Sequence, residues 1–189
     1  PCDPYLLVEA SIHKFFYGQN IYGNPVGFQE RCSLFVNFLG EMLAGDQYSR
    51  HEAHKLLPEP MRWQVRRVDW AEMFRLSPAA QILFFRALRN CKFPRRALKE
   101  AKYDTAVHFP GKFTTFRIYG KGAEFKAHDY SRIKRSLIAY QLRQADSANG
   151  KPFSSDAYVW IDHKLNALQR LANSRLRVEV QINADKLNY

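Results

Sequence analysis

A chain of 189 residues, 46% hydrophobic and 14% aromatic, has apolar material for a sizeable core, yet none of its apolar runs approaches the ~20 residues of a bilayer span. Its 29 basic residues against 18 acidic give a formal net charge of +11, which favours a polyanion partner, most commonly nucleic acid, over a solvated basic surface with no ligand. Cys2, Cys32 and Cys91 are odd in number and widely spaced, which excludes a disulfide framework or a zinc pattern and fits a reducing cytosol.

The chain opens Pro1-Cys2-Asp3, with neither signal peptide nor initiator methionine, and is expected to be a piece of a longer protein. Tyr5 to Ile12 alternates as a strand, with Leu6, Val8 and Ala10 on one face. His13 to Asn20 is aromatic and basic, a composition that stacks bases and holds phosphates or forms core under a loop. Leu34, Phe35, Phe38 and Leu39 recur at helical spacing within a helix over 28–43, stopped at Gly45. His51 and His54 fall in a linker over 48–60. A second strand is predicted over 64–71. Ser77-Pro78 then opens a helix with Ile82, Phe85 and Leu88 as its stripe, ended by Pro94 within a basic cluster that includes Lys92, Arg95, Arg96 and Lys99.

A hairpin follows, with strands over 103–109 and 113–119 around Pro110-Gly111. Thr115, Arg117 and Tyr119 share its polar face, and Gly120 and Gly122 loosen the backbone before a basic helix over 123–143. After a polar loop, a helix over 156–172 carries Ala157, Trp160, Ile161, Leu165 and Leu168 as its stripe. The last strand is the clearest: Arg175, Arg177, Glu179, Gln181 and Asn183 alternate with Leu176, Val178, Val180 and Ile182. The pattern predicts an α+β fold, a mostly antiparallel sheet with helices packed on one face and a polar catalytic and DNA-binding face.

Three strands thus place an arginine two residues from a functional group on their polar faces: Arg67 with Asp69, Arg117 with Tyr119, and Arg177 with Glu179. If they are neighbours, Asp69, Glu124 and Glu179 converge beside Tyr119. Carboxylates that close repel unless a positive charge separates them, and carboxylate oxygens suit a hard cation such as Mg²⁺ or Mn²⁺. Each acid can equally pair with its own arginine, and spacing alone leaves the two readings open.

At these residues the chain resembles the replication initiation proteins of filamentous single-stranded DNA phages, which are related to plasmid rolling-circle initiators. The resemblance lies in collinear blocks: 10–23 (ASIHKFFYGQNIYG), Arg67-Val-Asp69, Arg117-Ile-Tyr-Gly-Lys-Gly-Ala-Glu124, and 176–182 (LRVEVQI). It implies a nickase-type replication initiator fold, with 1–189 a single nicking and DNA-binding domain. It implies a site-specific single-strand endonuclease and strand transferase that forms a 5′-phosphotyrosine intermediate at the origin. Tyr119 matches the nucleophile, Lys121 a signature lysine, and Asp69, Glu124 and Glu179 the acidic metal positions for Mg²⁺ or Mn²⁺. Lys14, Asn20, Arg67, Arg117 and Arg177 are the expected DNA contacts, and His128 a possible additional ligand. A His-hydrophobic-His metal motif is not found; His108 and His128 are isolated. Expected partners are single-stranded or supercoiled origin DNA, with a host helicase and polymerase and no membrane, in the cytoplasm of a bacterial host. The alternatives are a non-cleaving origin-binding domain and a metal-dependent nuclease that uses water.

Overall fold

A computed structural model of the chain describes residues 7–21, 27–44, 66–100, 104–147 and 155–183. They belong to two compact units, one drawn from 1–20 and 24–64, the other from 21–23 and 65–189.

Among its described residues, the first unit has two helices, α1 (Ile12–Tyr17) and α2 (Phe28–Ala44). The strand predicted over 5–12 is not found in its described part: residues 7–11 are irregular, and α1 begins at Ile12. Helical spacing outweighs the short alternation there. Ile12, Phe15 and Phe16 recur at i, i+3 and i+4, and the His13 and Tyr17 rings meet at 4.8 Å. Phe15 packs on Phe35 and Phe38 of α2 at 5.0 and 4.9 Å. Gly18 ends α1 in the left-handed region (φ 67°), its N–H bonded to the Lys14 carbonyl, a conformation glycine adopts without a Cβ penalty. The linker with His51 and His54 lies outside the described residues.

Among the described residues, the second unit is built on a sheet of five strands. Its strands are β1 (Arg67–Arg75), β2 (Lys99–Glu100), β3 (Ala106–Phe109), β4 (Thr114–Gly120) and β5 (Arg175–Asn183), in the order β1-β5-β4-β3-β2, with every pairing antiparallel. The α+β prediction therefore holds. β5 matches its predicted span. β1 runs further along the chain than predicted, because Glu72 to Arg75 find partners in Val178 to Arg175. The hairpin β3–β4 turns at Pro110-Gly111, and Arg96 secures it: its guanidinium donates to the Phe109 carbonyl (3.0 Å) and the Thr114 carbonyl (2.6 Å) and stacks on Phe116. One member of the basic cluster is thus a structural clamp.

Helix α3 (Pro78–Arg89) opens as predicted, Ser77 Oγ accepting from the Ala80 N–H at 3.3 Å, and ends at Asn90 rather than Pro94. It packs on the apolar sheet face in a core of Phe85, Val107, Phe109, Ile118 and Leu176. Burial of such side chains contributes about 1.5–3 kcal/mol each. The buried stripe of α3 differs from the predicted one: Gln81 and Phe85 are buried, whereas Ile82 is exposed.

From Lys121 to Ser147 the chain is continuously helical. α4 (Lys121–Glu124) passes through a π-helical turn (Phe125–Asp129) into α5 (Tyr130–Ser147). With α6 (Ser155–Asn173) these helices form a second core of Ile21, Phe125, Ile133, Ile161, Leu165 and Ala172. The sequence-predicted helix over 123–143 is therefore longer at both ends. Among the described residues no helix is long and apolar enough to cross a membrane.

Candidate active site on the polar sheet face

Strand order decides which predicted residues meet. β5 lies between β1 and β4, so the three arginine-bearing strands are neighbours. In register, Glu179 stands between Ala71 and Arg117, Arg177 beside Tyr119, and Gln181 between Asp69 and Thr115. Paired residues share a face, so Asp69, Arg117, Tyr119, Arg177, Glu179 and Gln181 all stand on the same side. His108 extends the row from β3, opposite Arg117, and Lys99 from β2, opposite His108.

Glu179 is the hub. It is 6% exposed, and both its oxygens are taken: Oε1 by Arg117 (3.2 Å), Oε2 by Arg177 Nε (3.0 Å) and the Tyr119 hydroxyl (3.2 Å). Burial alone would raise its pKa; Arg177, the Tyr119 hydrogen bond and Arg117 outweigh that and hold it below the usual carboxylate value. Arg117 also donates to Gln181 Oε1 at 2.5 Å, so its guanidinium is held by two partners on β5.

Tyr119 is half-buried on an inner strand, with β3 on one side of it and β5 on the other. Burial, the negative charges of Glu179 and Glu124, and its donated hydrogen bond push its pKa far up; Arg177 opposes this without prevailing. The phenol is neutral at rest. Lys121 follows it, fully buried, ion-paired with Glu124 and 5.9 Å from the centre of the Tyr119 ring.

Asp69 pairs with Arg67, two residues before it on the same strand, at 3.4 Å. Its pKa is raised, first by partial burial and then by repulsion from Glu179, against the pull of Arg67, Arg117 and Arg177. The two acids are diagonal neighbours on the paired strands, which is the geometric source of that repulsion. Burial and the neighbouring Arg117 and Lys99 lower His108, so its imidazole favours the neutral form. Among the described residues, no three of His, Cys, Asp and Glu form a ready metal-ligand group. His128 is exposed on the π-helical turn. Lys14 and Asn20 belong to the other compact unit, Lys14 within α1 and Asn20, buried, just after it.

Gly120 and Gly122 serve a different purpose from the loosening inferred from sequence. Gly120 is extended (φ −71°), and a Cβ there would lie 2.6 Å from Gln81 Oε1 and 3.3 Å from Thr105 Cβ. A Cβ on Gly122 would run into the Asn173 side chain. Both are glycine for close approach, not for freedom. Gln81 was missed in the sequence. Its amide donates to the Leu76 carbonyl (2.8 Å) and the Asn173 carbonyl (2.9 Å), joining the ends of β1 and α6 beside the exit of β4. The available signal was a polar side chain sharing the face of Phe85 and Leu88 on α3.

A basic α+β chain that sets a tyrosine, a buried carboxylate and two arginines on one sheet face has the chemistry of a phosphate-handling protein. Residues 2–189 match the family model Phage_CRI, which describes the N-terminal region of a phage replication-associated protein, and the chain belongs to that family. It is a filamentous-phage-type replication initiator, a role that implies origin DNA as its partner. Comparison with curated proteins and with solved structures found no match.

Proposed function

We propose that the chain nicks and rejoins one DNA strand at a replication origin, with Tyr119 as the nucleophile. The observation that carries this reading is the Tyr119 hydroxyl aimed at Glu179 Oε2, 3.2 Å away, between Arg117 and Arg177. The phenol oxygen attacks the scissile phosphorus, and the bond from phosphorus to the 3′-oxygen breaks. The 5′-phosphate stays on Tyr119, and the departing 3′-oxygen takes a proton to become the priming hydroxyl. Glu179 Oε2 already accepts the hydrogen bond of the phenol proton and is its nearest acceptor. Arg117 and Arg177 supply positive charge where phosphoryl oxygens gain negative charge.

A hard divalent cation, Mg²⁺ or Mn²⁺, would be held by Asp69, Glu124 and Glu179 only in exchange for the contacts that occupy the two glutamates at rest, Arg117, Arg177 and Tyr119 on Glu179 and Lys121 on Glu124; as they stand, the three acids do not form a ready ligand group. Asp69 and Glu179 are diagonal neighbours on paired strands, a placement that separates residues by about 7–8 Å. Their mutual repulsion is what a cation between them would relieve. Held there, such an ion would polarise a phosphoryl oxygen. Lys121 supports Glu124 and lies by the Tyr119 ring. Lys14, Asn20 and Arg67 are proposed DNA contacts, with a host helicase and polymerase acting on the nicked product in the bacterial cytoplasm.

The test is a denaturing gel of the protein incubated with a labelled pool of randomised single strands and Mn²⁺. A covalent adduct that disappears in Tyr119→Phe supports the reading. Cleavage that persists in that variant assigns the chemistry to water, and salt-sensitive binding without cleavage leaves an origin-binding domain.

A further inference from the structure

Beside the active strand, an open groove lies between the Lys121–Tyr130 stretch and one face of α6. Gly122, Lys126, Tyr130, Asn166, Gln169 and Asn173 line it. The three amides recur at i, i+3 and i+7, so they form a ladder along the helix. Their orientation is determined by the backbone. The Gly122 carbonyl can only accept, so Gln169 must turn its NH₂ toward it (3.1 Å); the same nitrogen donates to Asn173 Oδ1 at 2.8 Å. Both hydrogens of the Gln169 amide are thereby spent, leaving its oxygen as an acceptor. The Asn173 oxygen is taken, leaving its NH₂ as a donor.

We propose that this groove is a nucleobase subsite, which reads one unpaired base of the strand held at Tyr119. An acceptor and a donor fixed side by side match the mixed edge of a base, as asparagine and glutamine do in reading adenine. The Tyr130 ring offers a stacking face, and the exposed Lys126 ammonium a partner for the adjoining phosphate. The floor of the groove is Gly122, three residues after Tyr119, and a side chain at that position would collide with Asn173. The glycine thus preserves the approach of α4 to α6 that fixes the amide pair. In the sheet-face cluster the one amide, Gln181, is engaged by Arg117 and Asn183, and Arg117 and Arg177 are held by Glu179. The groove would therefore add base discrimination to a site whose positive charges are placed for phosphate.

The inference rests on the reading that single-stranded DNA is the ligand of this site, and its test is separable from the nucleophile assignment. Binding is measured on the full chain carrying Tyr119→Phe, which removes strand transfer by tyrosine. The ligands are labelled deoxyadenylate, deoxycytidylate and thymidylate homopolymers and an abasic strand of equal length, titrated by fluorescence anisotropy without divalent metal. The expected result is a spread of about tenfold in Kd among the bases. That spread collapses in Asn173→Ala and Gln169→Leu. Tyr130→Leu, which keeps apolar bulk beside Phe125, weakens the base-bearing strands by about tenfold and leaves the abasic strand unchanged. Lys126→Ala weakens all strands alike and reduces the salt slope by about one. Equal affinity for all homopolymers, or a base preference that survives in Asn173→Ala and Tyr130→Leu, overturns the proposal. Because Asn173 is exposed at the end of α6, its variant reports even if Gln169→Leu fails to fold.

Discussion

Two strands of this sheet carry nearly the same tripeptide and meet different fates. Arg67-Val-Asp69 lies on β1 and Arg177-Val-Glu179 on β5; the two strands pair along nine residues. β5 is central, with β4 on its other side, whereas β1 is last in the sheet order among the described residues. Glu179 therefore gains Arg117 and Tyr119 from β4 in addition to its own Arg177, and its pKa falls despite burial. Asp69 has Arg67 at 3.4 Å, with 29% of its side chain exposed, and its pKa rises. The motif sets which charges are available. Position in the sheet sets how many opposite charges each acid can collect, and so whether the acid becomes a buried hub or a partly solvated neighbour.

Removing the two acids in turn should break this symmetry most visibly. Glu179→Ala strands two arginines beside a half-buried phenol and is expected to cost about 3–5 kcal/mol in urea unfolding, the range for breaking a buried pair. Asp69→Ala should cost under about 1 kcal/mol, as for solvent-screened pairs. Equal losses would mean that the central position of β5 carries no energetic weight.

Next in size is the joint beside Tyr119. Gly120→Ala and Gln81→Ala should each cost about 1–3 kcal/mol, the first by crowding the Gln81 amide, the second by stranding two carbonyls. The double variant should lose less than the sum, since removing Gln81 opens the space the new methyl needs. Strict additivity would show that the two do not meet.

The pH dependence of stability should differ in sign. The folded pKa of Glu179 is lowered, so its contribution is present above the unfolded value of about 4.3 and is lost as pH falls through the folded value. The folded pKa of Asp69 is raised, so its ionisation penalises folding, growing as pH climbs from about 3.9 through the folded value. Glu179→Gln should flatten the acid limb of the stability curve, while Asp69→Asn should gain on the wild type as pH rises. The same sign for both variants would contradict the comparison.

The smallest effect belongs to Arg67→Ala. Its side chain is 42% exposed, and the expected change in stability is within about 0.5 kcal/mol. A larger loss would give β1 a structural salt bridge that its exposure argues against.

Much of the fold was legible because alternation is a local property. β5 shows it over all nine residues, and Ser77-Pro78 marks the start of α3 by cap chemistry alone. Strand order was not legible, since it depends on partners more than a hundred residues apart. β1 extends to Arg75 only because β5 is there to receive it. At the other end, two-residue β2 carries too little pattern to announce itself. Parity placed Asp69, Arg117, Tyr119, Arg177 and Glu179 on one face, yet the hub at Glu179 emerged only when β4 and β5 were placed side by side. Gly120 and Gly122 illustrate the limit of local reasoning: glycine suggested flexibility, but Gln81 and Asn173, far away in sequence, explain both.

The most direct measurement is to locate the covalent bond. The protein is incubated with Mn²⁺ and a pool of randomised single strands, the adduct is digested with protease and nuclease, and the modified peptide is sequenced by mass spectrometry. The expected result is a residual nucleotide phosphate on Tyr119 and on no other tyrosine. A nucleotide on Tyr130 or Tyr140 with Tyr119 unmodified, or cleaved DNA with no modified tyrosine, would contradict the assignment of Tyr119 as the nucleophile.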